Sequence, residues 1–145
     1  MSALASIDVT IEKRGSESIT AVEILELLTK QGWNINNNGN TLYLPLGDDD
    51  DFDWQEAVIN KEELFSIIVQ KEEQQEIIGI GLTWENTDIG GTLLIHSNNL
   101  LSFSLTINRK VLSNNITDVN WYLERILPCF ETNLITVERF AFAQD

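Results

Sequence analysis

The chain has 145 residues, with 23 Asp plus Glu against 9 Lys plus Arg and a formal net charge of −14. At 43% hydrophobic residues it can bury one continuous core, which excludes a disordered or fibrous chain and predicts a single domain over residues 1–145. So few cations argue against a direct grip on nucleic-acid phosphates or anionic membrane surfaces, since both need clustered Lys and Arg.

Met1 to Asp8 has no basic segment and meets an acid before any apolar stretch of signal-peptide length, so no export signal is expected. The longest nearly apolar run, Ile77 to Leu82, spans six residues including two glycines, far short of the roughly 20 of a membrane-spanning helix. Cys129 is the only cysteine, which leaves no internal disulfide and no multi-thiolate metal site and fits a reducing, cytoplasmic setting.

Residues 7 to 12 alternate Ile7, Asp8, Val9, Thr10, Ile11, Glu12, the period of a strand with one buried face. Thr20 and Glu23 stand at capping-box spacing and Gly32 follows Gln31, which predicts a helix over about 20–31. Asn38-Gly39 is a type I′ turn pair, and a hairpin there would set Ile35 against Leu42 and Trp33 against Leu44. A short strand over Ala57 to Ile59 is followed by a second capping pair, Asn60 and Glu63. These open a helix whose stripe is Leu64, Ile67, Ile68 and Lys71.

From Ile78 the period returns to two, and strands over about 78–84, 92–97 and 100–108 form an antiparallel meander with Leu101, Phe103, Leu105 and Ile107 as a buried row. With Asn98-Asn99 as the turn, His96 would face Leu101 on the side of Leu94 and Phe103. Thr117 caps a third helix that Pro128 shortens, and Leu134 to Phe142 closes the chain as a strand. The expected fold is α+β, a largely antiparallel sheet with about three helices packed on one face.

Charge is concentrated in one segment. Residues 46–76 hold eleven acids and two bases, a charge of −9, while residues 1–45 carry −2 and residues 77–145 carry −3. The run Asp48, Asp49, Asp50, Asp51 leads into Asp53, Trp54 and Glu56. Glu62, Glu63, Glu72, Glu73 and Glu76 follow in and after the second helix. Repulsion among these carboxylates weakens the compact state, so a compensating use for them is expected.

The chemistry-bearing residues define no catalytic site. His96 is the only histidine and stands at a strand end; Cys129 follows Pro128 without a flanking motif and suits a buried apolar role. An EF-hand frame fails in both registers of the aspartate run: from Asp49 the sixth and twelfth positions are Trp54 and Asn60, and from Asp51, although Glu62 falls at the twelfth, the fifth and sixth are Gln55 and Glu56. Gly79-x-Gly81 lies inside a strand pattern and lacks the third glycine of a dinucleotide loop. No enzyme activity, cofactor or metal is expected.

Trp33 and Trp84 suit buried strand faces, and Trp121 lies off its helix's apolar stripe. Trp54 differs, because an aromatic embedded in carboxylates is the composition of a contact region for a basic protein, the alternative being a lid packed over the sheet edge. The partner-contact candidates are therefore Asp48, Asp49, Asp50, Asp51, Asp53 and Trp54, with Glu56, Glu62, Glu63, Glu72 and Glu73.

In size and concentrated acidity the whole chain resembles bacterial toxin-immunity proteins of the contact-dependent growth inhibition and related polymorphic toxin systems. That resemblance implies a cytoplasmic inhibitor, a basic toxin domain such as a nuclease as partner, and no catalysis. Ile24 to Leu46, a helix then a hairpin, and Gly90 to Phe130, a hairpin then an amphipathic helix, are also similar to the plan of class I type III secretion chaperones and YbjN-like proteins. This second resemblance implies an acidic adaptor that binds a protein client.

Overall fold

The computed structural model describes residues 4–15, 18–36, 39–132 and 134–145. In chain order the elements are β1 (Ala5–Lys13), α1 (Ala21–Gln31), β2 (Trp33–Asn34), β3 (Thr41–Tyr43), β4 (Gln55–Ala57), α2 (Lys61–Glu73), β5 (Ile78–Trp84), β6 (Gly90–Ile95), β7 (Leu100–Ile107), α3 (Val119–Ile126) and β8 (Ile135–Gln144). The strands form one antiparallel sheet in the order β4-β3-β5-β6-β7-β1-β8, with β2 also paired to β5. The fold is α+β.

Local chemistry sets the ends of the helices. Thr20 accepts a hydrogen bond from the Glu23 amide, and Gly32 at φ 132° stops α1 after Gln31. Asn60 accepts from the Glu63 amide at 2.8 Å, so α2 starts where its capping pair places it. At α3 the cap is Asp118, whose carboxylate accepts from the Trp121 amide, and not Thr117. Thr117 is instead buried, with its amide and hydroxyl both donating to the Gln144 side-chain oxygen. Pro128 ends α3 at Ile126 and the chain continues as a 3₁₀ turn over Leu127–Phe130.

One face of the sheet carries the core. Ile7, Val9 and Ile11 of β1, Leu101, Phe103 and Leu105 of β7, Leu93 and Ile95 of β6, and Ile80 and Leu82 of β5 are all buried on it. Against them pack Ile24, Leu25 and Leu28 of α1, Leu64 and Ile68 of α2, and Tyr122 and Ile126 of α3. The opposite face presents Ser6, Asp8 and Thr10 of β1 beside Ser102 and Ser104 of β7, as strand alternation requires.

Among the described residues the expected pairings of Trp33 with Leu44 and Ile35 with Leu42 are absent. Asn38 of the expected turn lies outside the described residues, but β2 and β3 both pair with β5, along the edge away from β6: Trp33 with Trp84, Asn34 with Thr83, and Tyr43 with Ile80. Pairing with β5 outweighs the local turn because it buries Trp33. Its ring meets Trp84 edge-on at 5.2 Å and its Nε1 donates to the Arg125 carbonyl at 3.0 Å. The short strand before α2 also shifts, to Gln55–Ala57, where Leu42 lies opposite Glu56.

The β6–β7 connection moves His96. Its amide donates to Leu100 and the register pairs Ile95 with Leu101 and Leu94 with Ser102, leaving a three-residue loop with Asn99 left-handed at φ 62°. A one-residue change of register exchanges faces, so His96 stands on the outer face with Ser102 Oγ 3.3 Å from its Nε2, away from Phe103.

At the β3–β5 end the outer face is covered by the acidic segment itself. A Cβ on Gly79 would lie 2.6 Å from Trp54 Cη2 and 2.7 Å from Leu44 Cγ; one on Gly81 would lie 2.9 Å from Leu42 Cβ. The two glycines make room for Leu42, Leu44 and the Trp54 indole. Gly79→Ala forces Trp54 and Leu44 outward and is expected to cost about 1–3 kcal/mol, measured as a lower urea midpoint at unchanged m-value.

Candidate functional site

The acidic segment is organised by one lysine. Helical spacing of Leu64, Ile68 and Lys71 puts all three on the buried face of α2, so the third position of an apolar stripe carries an ammonium. Lys71 is 1% exposed, and its Nζ donates to the Pro45 carbonyl at 2.8 Å, the Asp48 carbonyl at 2.6 Å and Glu76 Oε1 at 3.0 Å. The Gly47 amide donates to the same Glu76 oxygen at 2.8 Å. A buried cation thus joins the start of the acidic loop to the chain leaving α2, with its three donors satisfied.

Asp48 completes the loop from inside. It is 5% exposed, and its carboxylate accepts from the amides of Asp51 at 3.1 Å, Phe52 at 3.0 Å and Asp53 at 2.7 Å. Asp49 accepts from the Ile77 amide at 2.8 Å. Wrapping amides round one carboxylate turns the intervening side chains outward: Asp50, Asp51 and Asp53 are exposed, and Phe52, left-handed at φ 53°, is 44% exposed between them.

The eleven candidates fall into different roles. Asp48 and Asp49 hold the loop. Glu72 accepts from the Ala21 amide at 2.8 Å and so caps the N-terminus of α1, where a carboxylate is favoured. Glu63 belongs to the α2 cap, receiving a bond from Asn60 Nδ2 at 3.3 Å. Trp54 packs over Gly79 and is half-buried. Asp50, Asp51, Asp53, Glu56, Glu62 and Glu73 are exposed. They do not form one cluster: eleven residue rises separate Glu62 from Glu73, about 16 Å along α2, with the loop packed at the Glu73 end. Among the described residues no group of three or more His, Cys, Asp or Glu stands placed to hold a metal ion.

The sequence left Trp54 as either a contact aromatic or a lid over the sheet edge and passed over Phe52; packing over Gly79 makes Trp54 the lid. The signal that separates them is remote: Gly79 and Gly81 leave one stretch of the outer face without side chains, and a nearby indole fills it. Phe52 has no such vacancy to occupy.

The other chemical groups lie elsewhere. Cys129 is buried, its thiol donating to the Arg125 carbonyl at 3.3 Å, and burial pushes its pKa up to about 12. Arg125 lies over Trp121 at 4.2 Å and Trp84 at 5.5 Å, tying α3 to the end of β5. A concavity of about 810 Å³ opens between Leu4, Ser6, Ser104 and Arg109. The Arg109 guanidinium is already bound to Thr117 and Asn115. Among the described residues no helix is long and apolar enough to cross a membrane. No protein-family model matches the chain, and no curated protein or solved structure matches it.

Lys71→Met strands the Glu76 carboxylate and two loop carbonyls in a poorly hydrated site and should cost about 3–5 kcal/mol in urea unfolding, with faster amide exchange over 47–53. Adding Glu76→Gln to that variant removes the stranded charge and should recover part of the loss. At Cys129, a thiol of pKa about 12 leaves about one part in ten thousand as thiolate at pH 8, so native protein should resist a thiol reagent that labels it promptly in urea. Because the folded pKa is raised from 9.0, the linked stability is complete below pH 9 and lost as pH rises from about 9 to 12.

Proposed function

We propose that the chain is an acidic protein-binding module, an immunity or inhibitor protein that binds and neutralises a basic toxin such as a nuclease in the cytoplasm. The observation that supports this reading is the loop pinned by Lys71 and Asp48, which holds Asp50, Asp51 and Asp53 in solvent around an exposed Phe52. Like charges on a flexible loop would spread apart. Here internal hydrogen bonds hold them in one place, which lowers the ordering cost of association.

An enzyme that binds nucleic acid presents a basic cleft, and an acidic ligand reaches such a cleft by electrostatic steering. In this reading the three aspartates set the encounter rate and Phe52 supplies apolar contact area at the centre of the charged patch. Glu73 lies at the same end of α2 and adds to the field, whereas Glu62 and Glu63 act from the far end at longer range. Asp48, Asp49 and Glu72 contribute by building the scaffold. The adaptor alternative rested on two stretches, Ile24 to Leu46 and Gly90 to Phe130: β6, β7 and α3 follow the plan of the second, whereas Trp33, Asn34 and Tyr43 of the first pair with β5.

The test is an affinity capture from the native host at low and high salt, with co-expression of the chain and the neighbouring open reading frame. A basic partner retained at low salt, together with rescue of growth, is the expected result. Asp50→Asn, Asp51→Asn and Asp53→Asn combined should slow association about tenfold at low salt and flatten its salt dependence, while Phe52→Ala should chiefly speed dissociation. Absence of any basic partner and of protection, or an association rate indifferent to the three substitutions, overturns the reading.

A further inference from the structure

β8 is a terminal strand of the sheet and ten residues long. One edge pairs with β1; among the described residues the other has only a local bridge from Thr132 to Ile135. A long open edge is a template for another strand, and folded proteins ordinarily block such an edge or use it. Its inner row continues the core outward: Val137, Phe140 and Phe142 are half-buried. Beside them a groove of about 350 Å³ opens between Leu127, Phe130, Val137 and Phe140.

The centre of this edge carries Glu138 and Arg139, and a bulge decides how they point. β8 pairs Arg139 with Thr10 and Val137 with Ile11, so Glu138 is the extra residue. Thr10 lies on the outer face between buried Val9 and Ile11, which puts Arg139 on that face. Glu138 is exposed beside Glu12, whose pairing with Thr136 puts it on that outer face, and hydrogen bonding to the Glu12 carboxyl together with its like charge raises the Glu138 pKa. Two consecutive side chains of opposite charge therefore share the outer face, while Val137 and Phe140 on either side of them share the inner one.

We propose that β8 joins a second copy of this chain edge to edge, antiparallel, about a two-fold axis between Glu138 and Arg139. In that register Glu138 faces Arg139 of the second copy and Arg139 faces its Glu138. Val137 faces Phe140 and Thr136 faces Ala141, so each pair lies on one face of the joined sheet. A regular strand could not do this, because consecutive residues point to opposite faces and a two-fold axis normal to the sheet keeps each face on its own side. The bulge makes the adjacent Glu-Arg pair self-complementary. Arg139, which has no ion-pair partner within its own chain among the described residues, supplies the counter-charge that the Glu12–Glu138 pair lacks. The groove beside Phe130 leaves room for the Phe140 ring of the second copy.

The charges give a direct test. Light scattering after size exclusion, with sedimentation equilibrium, should find the intact chain at twice its 16.4 kDa mass. Arg139→Glu sets glutamate against glutamate across the axis, and Glu138→Arg sets arginine against arginine; each should raise the dimer dissociation constant about tenfold or more. Circular dichroism checks that both single variants are folded. Combining Glu138→Arg with Arg139→Glu restores opposite charges in every pair and should restore the dimer. A monomeric intact chain, a dimer indifferent to the single reversals, or a double reversal that stays monomeric overturns the proposal. The first of these, with a strand from the captured partner on β8, would assign the edge to a heterologous contact.

Discussion

The ammonium of Lys71 is the point on which the acidic half of the molecule depends. An isolated charge in a protein interior is costly, and this one is tolerated because two carbonyls and a carboxylate converge on it. The same three bonds fix where Pro45, Asp48 and Glu76 lie. From there the loop has little freedom: Asp48 gathers the amides of Asp51, Phe52 and Asp53, Asp49 ties back to Ile77, and Trp54 settles over Gly79. The most negative stretch of the chain is ordered by a positive charge at its root, not by dispersal of its carboxylates into solvent.

This arrangement separates two uses of the carboxylate that a count of acids conflates. Asp48, Asp49, Glu72 and Glu76 accept hydrogen bonds from backbone amides, Glu76 also binds Lys71, and all four act as structural acceptors. Of the four only Glu76 is neutralised, by Lys71; Asp48, Asp49 and Glu72 keep their charge while serving as acceptors. Asp50, Asp51 and Asp53 have no such task and keep their full hydration. The carboxylates open to a partner are thus fewer than the acids of residues 46–76, with Asp48 buried and Glu72 and Glu76 half-buried.

What was legible in the sequence was local. Thr20 with Glu23 and Asn60 with Glu63 placed helix starts because a cap is decided within one turn. The alternation from Ile7 to Glu12 gave a strand and its buried face, and Pro128 gave the end of α3. The failures were contests between local and distant partners. Asn38-Gly39 favours a hairpin, yet Trp33 gains more from Trp84 and Arg125 than it could from Leu44. His96 was set on the wrong face because a three-residue loop with Asn99 left-handed replaces a two-residue one, and period-two structure converts one residue of register into a change of face. Division of the acids into scaffold and surface was not legible at all, since Asp48 and Asp50 differ only in what Lys71 holds in place.

The sheet order gives the acidic loop and the β8 edge a relation neither has alone. Four strand intervals at about 4.8 Å separate β5 from β8 and six separate β4 from it, so the loop over β5, β3 and β4 stands roughly 19–29 Å from the open edge. A Debye length of about 8 Å at physiological salt screens most repulsion over that distance. Two copies joined through β8 would therefore bring their nearly neutral edges together and carry both acidic loops to the outer ends of a continuous sheet. In that geometry the net charge of −14, which opposes association of any two copies in general, opposes this one least.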